Sequence, residues 1–236
     1  MSTVAQHERR RWGQLTAVVL IVLALANLMS NRVLPGWRYV PWNLAVAVCI
    51  VLVARHLVSQ SELGFGEWRR GLAWGTVLLV VTVGVLLLAL TMPAFNDMYH
   101  DRRVIGGTGG WLYQAFVRIP LGTVVLEETA FRAVLPALFA QRWGVLRGSL
   151  AASLCFGLWH VLPALSLNEV NPTATRVFGD GAGGVAVAVV FAVVGTALAG
   201  MWWCWVRYRS RSVLATMVAH VASNSAAYTI AFAVGG

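Results

Sequence analysis

Residues 124–132 read VVLEETAFR, so two adjacent acids, Glu127 and Glu128, lie inside an apolar stretch, with Arg132 four residues after the second. Charge at membrane depth is costly, so ionisable side chains there usually face the protein interior and mark function. The chain has nine acidic residues, and the other seven lie in the N-terminal tail or in connecting segments. This stretch therefore predicts a membrane helix that carries a functional site.

The rest of the chain has the composition of a membrane protein. Of its 236 residues, 58% are hydrophobic and only 11% are charged, whereas about a quarter are charged in a soluble domain. We predict an all-α polytopic transmembrane helix bundle, with a cytoplasmic tail over residues 1–12 and one transmembrane domain over 13–236. A membrane span needs about 20 apolar residues, and an eighth span remains an alternative to the seven predicted here. The predicted spans are 13–30, 40–58, 71–92, 112–140, 146–165, 183–206 and 212–234.

The basic residues indicate orientation in a lipid bilayer. The net charge of +9 comes from arginines at the ends of apolar segments, which argues against a nucleic-acid partner. With the N-terminus in the cytoplasm, eleven arginines lie on the inner side and five on the outer side. The predicted location is the bacterial cytoplasmic membrane. Residues 24–26 resemble a signal-peptide cleavage site, so retention of the first helix is left open.

Three predicted spans carry strongly polar side chains. Besides the two acids and Arg132, these are His160, His220 and Asn224. Residues i and i+4 share a helix face, so Glu128 is expected to pair with Arg132 and His220 to lie beside Asn224. Glu127 then points elsewhere and has no partner on its own helix, which suits a general base.

The heights of these side chains are compatible. From the nearest inner arginine, Glu127 is about 22 Å along its helix, His160 about 20 Å and His220 about 14 Å. A membrane histidine alone often only bonds a neighbouring helix, and a Glu–Arg pair alone is often structural. Two acids, an arginine, two histidines and an amide on three helices together indicate a functional site.

At these residues the chain resembles the CPBP family of CAAX proteases and bacteriocin-processing enzymes, also called Abi. The family motifs EExxxR, FxxxH and HxxxN match 127–132, 156–160 and 220–224 in order and spacing. The resemblance implies an all-helical intramembrane endopeptidase of about eight spans, with its motifs on the fourth, fifth and seventh. The motif region covers 127–224, and the first 110 residues resemble the family only in being hydrophobic helices.

The resemblance also implies roles for single residues. Glu127 with His160 would activate a water, and His220 with Asn224 would stabilise the oxyanion. Glu128 with Arg132 would hold the helix geometry. Independently of the resemblance, Phe156 and His160 share the i, i+4 spacing, which places an aromatic ring under the imidazole.

The sequence specifies the cofactor and the substrate less closely than it specifies the fold. Glu127, His160 and His220 could instead bind zinc, which would make the enzyme a metalloendopeptidase. A metal-free glutamate mechanism uses the same side chains, and we favour it slightly. The expected partner is a peptide or membrane-protein substrate, lipidated or not. The alternative functions are a non-proteolytic membrane scaffold or immunity protein on the same fold, and a proton-coupled transporter.

Overall fold

The computed structural model describes residues 3–92, 99 and 107–235 of the chain. The molecule is 90% helical, and the described residues form no β-strand, which confirms the predicted all-α bundle. Six helices in this part of the chain are long and apolar enough to cross a membrane. They are Thr3–Val33, Gly36–Ala54, Gln60–Leu90, Gly107–Ala164, Ala182–Ser210 and Val213–Val234.

The α-helical segments are numbered in chain order. The first half comprises α1 (Thr3–Leu28), α2 (Tyr39–Ala54), α3 (Gln60–Leu63), α4 (Trp68–Leu90) and α5 (Gly107–Tyr113). The centre comprises α6 (Val125–Glu128) and α7 (Leu135–Trp159). The remainder comprises α8 (Val161–Ala164), α9 (Leu167–Val170), α10 (Pro172–Phe178), α11 (Ala182–Ser210), α12 (Val213–Val221) and α13 (Ala227–Gly235). Because α1 begins at Thr3, the predicted tail is helical from that residue onward.

The longest span doubles back on itself inside α7. Gly144 has φ 75° and ψ 168°, a conformation that only glycine adopts without strain. A Cβ atom added to Gly148 would lie 2.7 Å from the backbone nitrogen of Ala140, so the two arms are in direct contact. The segment Gly107–Ala164 is therefore two helical arms joined at Gly144, and they correspond to two of the seven predicted spans, 112–140 and 146–165. Counting this segment once gives the total of six.

The main core lies where the first two spans pack against the arm that precedes Gly144. Val19, Ile50, Leu126 and Leu138 are fully buried there. The indole nitrogen of Trp12 donates a hydrogen bond of 2.8 Å to the carbonyl of Leu138, which ties the start of α1 to the same arm. Helices α1 and α2 therefore pack along one side of the acidic stretch and fix its position.

Small residues let the other spans approach closely. A Cβ atom on Gly71 would meet Ser212 at 2.4 Å, and one on Gly75 would meet Val218 at 2.7 Å. This GxxxG spacing brings α4 against α12, as in many membrane helix pairs. In the same way Gly157 lies against the backbone of α11. Helix α12, which carries His220, is therefore held against α4.

π-helical turns flank the polar residues. Glu127 and Glu128 occupy the four-residue α6 between two π-helical stretches, Gln114–Val124 and Thr129–Val134. Another stretch, Ala222–Ala226, contains Asn224. Such turns insert a residue into a helix and re-aim its side chains, and they occur frequently at functional sites.

Candidate active site

The two acids differ in their access to water. Glu128 is fully buried, whereas Glu127 keeps 7% of its surface exposed. Adjacent helical residues point about 100° apart, so the two carboxylates face different neighbours. Glu127 is therefore the acid that can meet a water or a substrate.

Glu128 forms the predicted i,i+4 ion pair with Arg132. Glu128 Oε2 lies 3.5 Å from Arg132 Nε, and both side chains have no exposed surface. The Arg132 guanidinium also stacks 3.9 Å above the centre of the Phe156 ring, a cation–π contact that joins the EExxxR and FxxxH motifs. This confirms the predicted pair. The contact of Arg132 with Phe156 was not predicted.

Glu128 has a second partner that the motif spacing did not indicate. His220 Nδ1 lies 2.8 Å from Glu128 Oε1, and His220 Nε2 lies 3.0 Å from the amide nitrogen of Asn224. A carboxylate only accepts and an amide nitrogen only donates, so Nδ1 carries the proton and Nε2 is the acceptor. Ser223 Oγ donates to the Asn224 amide oxygen at 3.2 Å, which supports this amide orientation. Glu128 therefore both neutralises Arg132 and orients His220.

Glu127 is held by a neighbouring helix. Its Oε1 accepts a hydrogen bond of 3.0 Å from the Trp159 indole nitrogen. Its Oε2 lies 3.9 Å from His220 Nε2, too far for a direct hydrogen bond but close enough for one water to contact both atoms. This carboxylate thus keeps one oxygen anchored and directs the other toward His220.

His160 lies one residue beyond Trp159, at the end of α7. Its Nδ1 donates to the Phe156 carbonyl at 2.9 Å, and its ring meets the Phe156 ring edge-on with centroids 4.6 Å apart. Phe156 therefore contacts His160 as expected. The Nδ1 bond leaves Nε2 as the basic nitrogen of the ring. His160 is half-buried, and no ion pair joins it to Glu127 within the described part of the chain.

Half of the chain matches a known protein family. The model of the type II CAAX prenyl endopeptidase Rce1-like family matches residues 109–226, which is half of the chain. The chain belongs to this family. Searches of curated proteins and of solved structures found no match. With its apolar helices, the family membership establishes an integral membrane protein.

The family match covers every predicted site residue, and it also covers Trp159, which motif spacing did not select. A buried indole N–H needs an acceptor, and Trp159 is buried. In the sequence, its position next to a motif histidine inside an apolar segment was the signal that could have identified it.

Asn27 is a second residue that the sequence did not indicate, and it lies outside the family match. Pro163 lacks the N–H that would bond the carbonyl of Trp159. Asn27 of α1 supplies the missing donor, with its amide nitrogen 3.0 Å from that carbonyl oxygen. The first span thus supports the backbone of the residue that holds Glu127.

The arrangement does not suit zinc as the side chains are placed. No group of three His, Cys, Asp or Glu side chains in residues 3–92, 99 and 107–235 is arranged to hold a metal ion. In particular, Glu127, His160 and His220 do not come together as a three-ligand set.

Proposed function

We propose that this chain is an intramembrane endopeptidase that hydrolyses a peptide bond by glutamate-activated water. Membership in a family of prenyl endopeptidases supports a protease of CAAX type. The observation that carries the proposal is the unequal environment of the two acids. Glu128 is committed to Arg132 and His220, while Glu127 keeps an oxygen free beside His220 Nε2.

In the proposed reaction, Glu127 Oε2 accepts a proton from a water bound between it and His220 Nε2. The resulting hydroxide attacks the carbonyl carbon of the scissile peptide and forms a tetrahedral intermediate. Glu127 then transfers the proton to the departing nitrogen as the carbon–nitrogen bond breaks. The products are a new carboxylate and a new amine, so no covalent enzyme intermediate is needed.

His160 and His220 would complete the water site. Nε2 of His160 is the basic nitrogen, because Nδ1 already donates to the Phe156 carbonyl. Nε2 of His220 accepts from Asn224, whose second amide hydrogen remains for another acceptor. That hydrogen would stabilise the oxyanion of the intermediate, a contribution usually worth about 3 kcal/mol.

The proposed substrate is a membrane-associated or lipidated peptide or protein. Glu127 lies within a candidate membrane span, so we expect a substrate to reach the site from the bilayer or its edge. The arginine distribution supports an N-terminus in the cytoplasm and a bacterial cytoplasmic membrane.

Comparative proteomics tests this proposal. Cells carrying the wild-type chain are compared with cells carrying Glu127→Ala, His160→Ala or His220→Ala, each checked for membrane insertion. We expect the same membrane-associated precursor to accumulate uncut in all three variants. Glu67→Ala is the matched control, because Glu67 is exposed and lies outside the three motifs. Normal processing in all three variants would reject the protease and favour a scaffold or immunity protein.

A further inference from the structure

A cavity of about 240 Å³ lies directly behind the candidate active site. It lies between α1, the helical segment that follows Glu128, and the part of α7 that follows Gly144. Neither Glu127 nor the motif histidines line it. Its lining includes Leu20, Ala24 and Asn27 of α1, Phe131, and Leu158 and Trp159 of α7.

Besides the Cys155 thiol, which is a weak donor, the polar side chains of the lining are Asn27 and Trp159, and both are already hydrogen-bonded. Asn27 is the only amide, and its nitrogen donates to the Trp159 carbonyl at 3.0 Å. Its oxygen accepts from the Asn31 amide nitrogen at 2.6 Å. The Trp159 indole nitrogen is bonded to Glu127. A buried water needs two to four polar partners, so this cavity suits hydrocarbon.

The mouth of the cavity faces the bilayer. Leu20 is 37% exposed and Leu158 is 63% exposed, and both lie on candidate membrane spans. Because both lie on candidate spans, we expect the acyl region of the membrane beside these two residues. The cavity is smaller than a typical ligand pocket, which suits a single chain and not a whole lipid.

We propose that this cavity binds one acyl chain of a bilayer phospholipid, and that the bound chain packs behind Trp159 and keeps its indole on Glu127. The second half of this statement rests on the proposed function, and the first half does not. The Trp159 ring lines the cavity and bonds the Glu127 carboxylate, so it connects the two. Because that ring separates the cavity from the carboxylate, the chain of a surrounding lipid is favoured over a chain carried by the substrate.

Photo-crosslinking tests the binding site without any measurement of activity. The purified full chain is reconstituted with a phosphatidylglycerol that carries a diazirine at the end of one acyl chain, and crosslinked residues are mapped by mass spectrometry. We expect crosslinks at residues 20–27 and 155–159, reduced at least about tenfold in Ala24→Phe, which fills the mouth. Ala17→Phe is the matched control, since Ala17 is exposed on the same helix but outside the cavity. Crosslinks that are uniform over the lipid-facing surface, or unchanged in Ala24→Phe, would overturn the proposal.

Thermal unfolding provides a second measurement that does not depend on one variant. Long-chain phosphatidylglycerol should raise the Tm of the wild type by about 2–4 °C or more, whereas the dihexanoyl form should not. Ala24→Phe should lose this difference, and Ala17→Phe should retain it. An equal response to both lipids would show that only the head group binds, which contradicts the proposal.

The two halves of the proposal, and the protease function, can fail separately. If the cleavage assay fails but the crosslinks and the Tm difference remain, the acyl site stands and the protease does not. If Ala24→Phe weakens cleavage of a lipidated peptide alone, with crosslinks unchanged, the cavity holds the substrate's own chain and our assignment is wrong. With both halves correct, long-chain lipid should raise wild-type turnover several-fold and leave Trp159→Phe unaffected.

Discussion

Replacement of Arg132 by methionine is the sharpest test of how the buried charges stabilise the fold. Arg132 and Glu128 are both fully buried and lie 3.5 Å apart. Arg132→Met keeps an apolar stem over Phe156 but leaves the Glu128 carboxylate without its cation. Breaking a buried pair by removing one partner usually costs about 3–5 kcal/mol, because an uncompensated charge stays behind.

The magnitude can be checked by a double-mutant cycle. A loss of about 3–5 kcal/mol corresponds to a Tm lower by about 6–20 °C in a chain of this size. Glu128→Gln removes the orphaned charge and still offers His220 Nδ1 an amide oxygen. The double variant Glu128→Gln with Arg132→Met should therefore recover at least about half of the lost stability. Thermal unfolding in one detergent, at one pH and protein concentration, gives all four values.

A different outcome would refute this reasoning. If Arg132→Met loses less than about 1 kcal/mol, the ion pair is not a stabilising unit. If the double variant is no more stable than Arg132→Met alone, the cost comes from lost packing over Phe156 and not from the stranded carboxylate. The first result would remove the structural role assigned to the EExxxR arginine, and the second would assign that role to packing on Phe156 and not to charge.

Two further predictions concern the helix contact at Gly75 and the anchor of Glu127. Gly75→Ala should lower stability by about 1–3 kcal/mol, because its Cβ would lie 2.7 Å from Val218. Gly84→Ala on the same helix has open space and should be neutral or stabilising by up to about 1 kcal/mol; equal losses in thermal unfolding would contradict the close contact. Trp159→Phe removes the donor to Glu127 and should lower kcat by about 10–100-fold with little change in KM. Unchanged kcat in steady-state cleavage would show that this bond does not position the base.

The sequence predicted the spans because membrane insertion depends on local apolar length. It also placed the break between 140 and 146, where the structure has the glycine turn at Gly144. The Glu128–Arg132 pair and the Phe156–His160 contact were predictable for a related reason. Each joins residues four apart on one helix, and that geometry is a property of the helix itself.

Contacts between helices could not be predicted in the same way. The bonds from Trp159 to Glu127, from His220 to Glu128 and from Asn27 to the Trp159 carbonyl depend on crossing angles and side-chain rotamers. π-helical turns also shift the register of side chains around the acids, and no residue spacing indicated them. The role of Glu128 was therefore underestimated, because its contact with His220 spans 92 residues.

The rate of cleavage by Glu127→Gln tests the central claim most directly. Gln has the same size and keeps an oxygen for the Trp159 indole, so only the base is lost. Single-turnover hydrolysis of the precursor found by proteomics, by purified protein, should fall by about 10²–10⁴-fold with an unchanged Tm. Glu67→Gln should cleave at the wild-type rate. A Glu127→Gln protein that keeps its fold and cleaves within about tenfold of the wild type would contradict the assignment of Glu127 as the base.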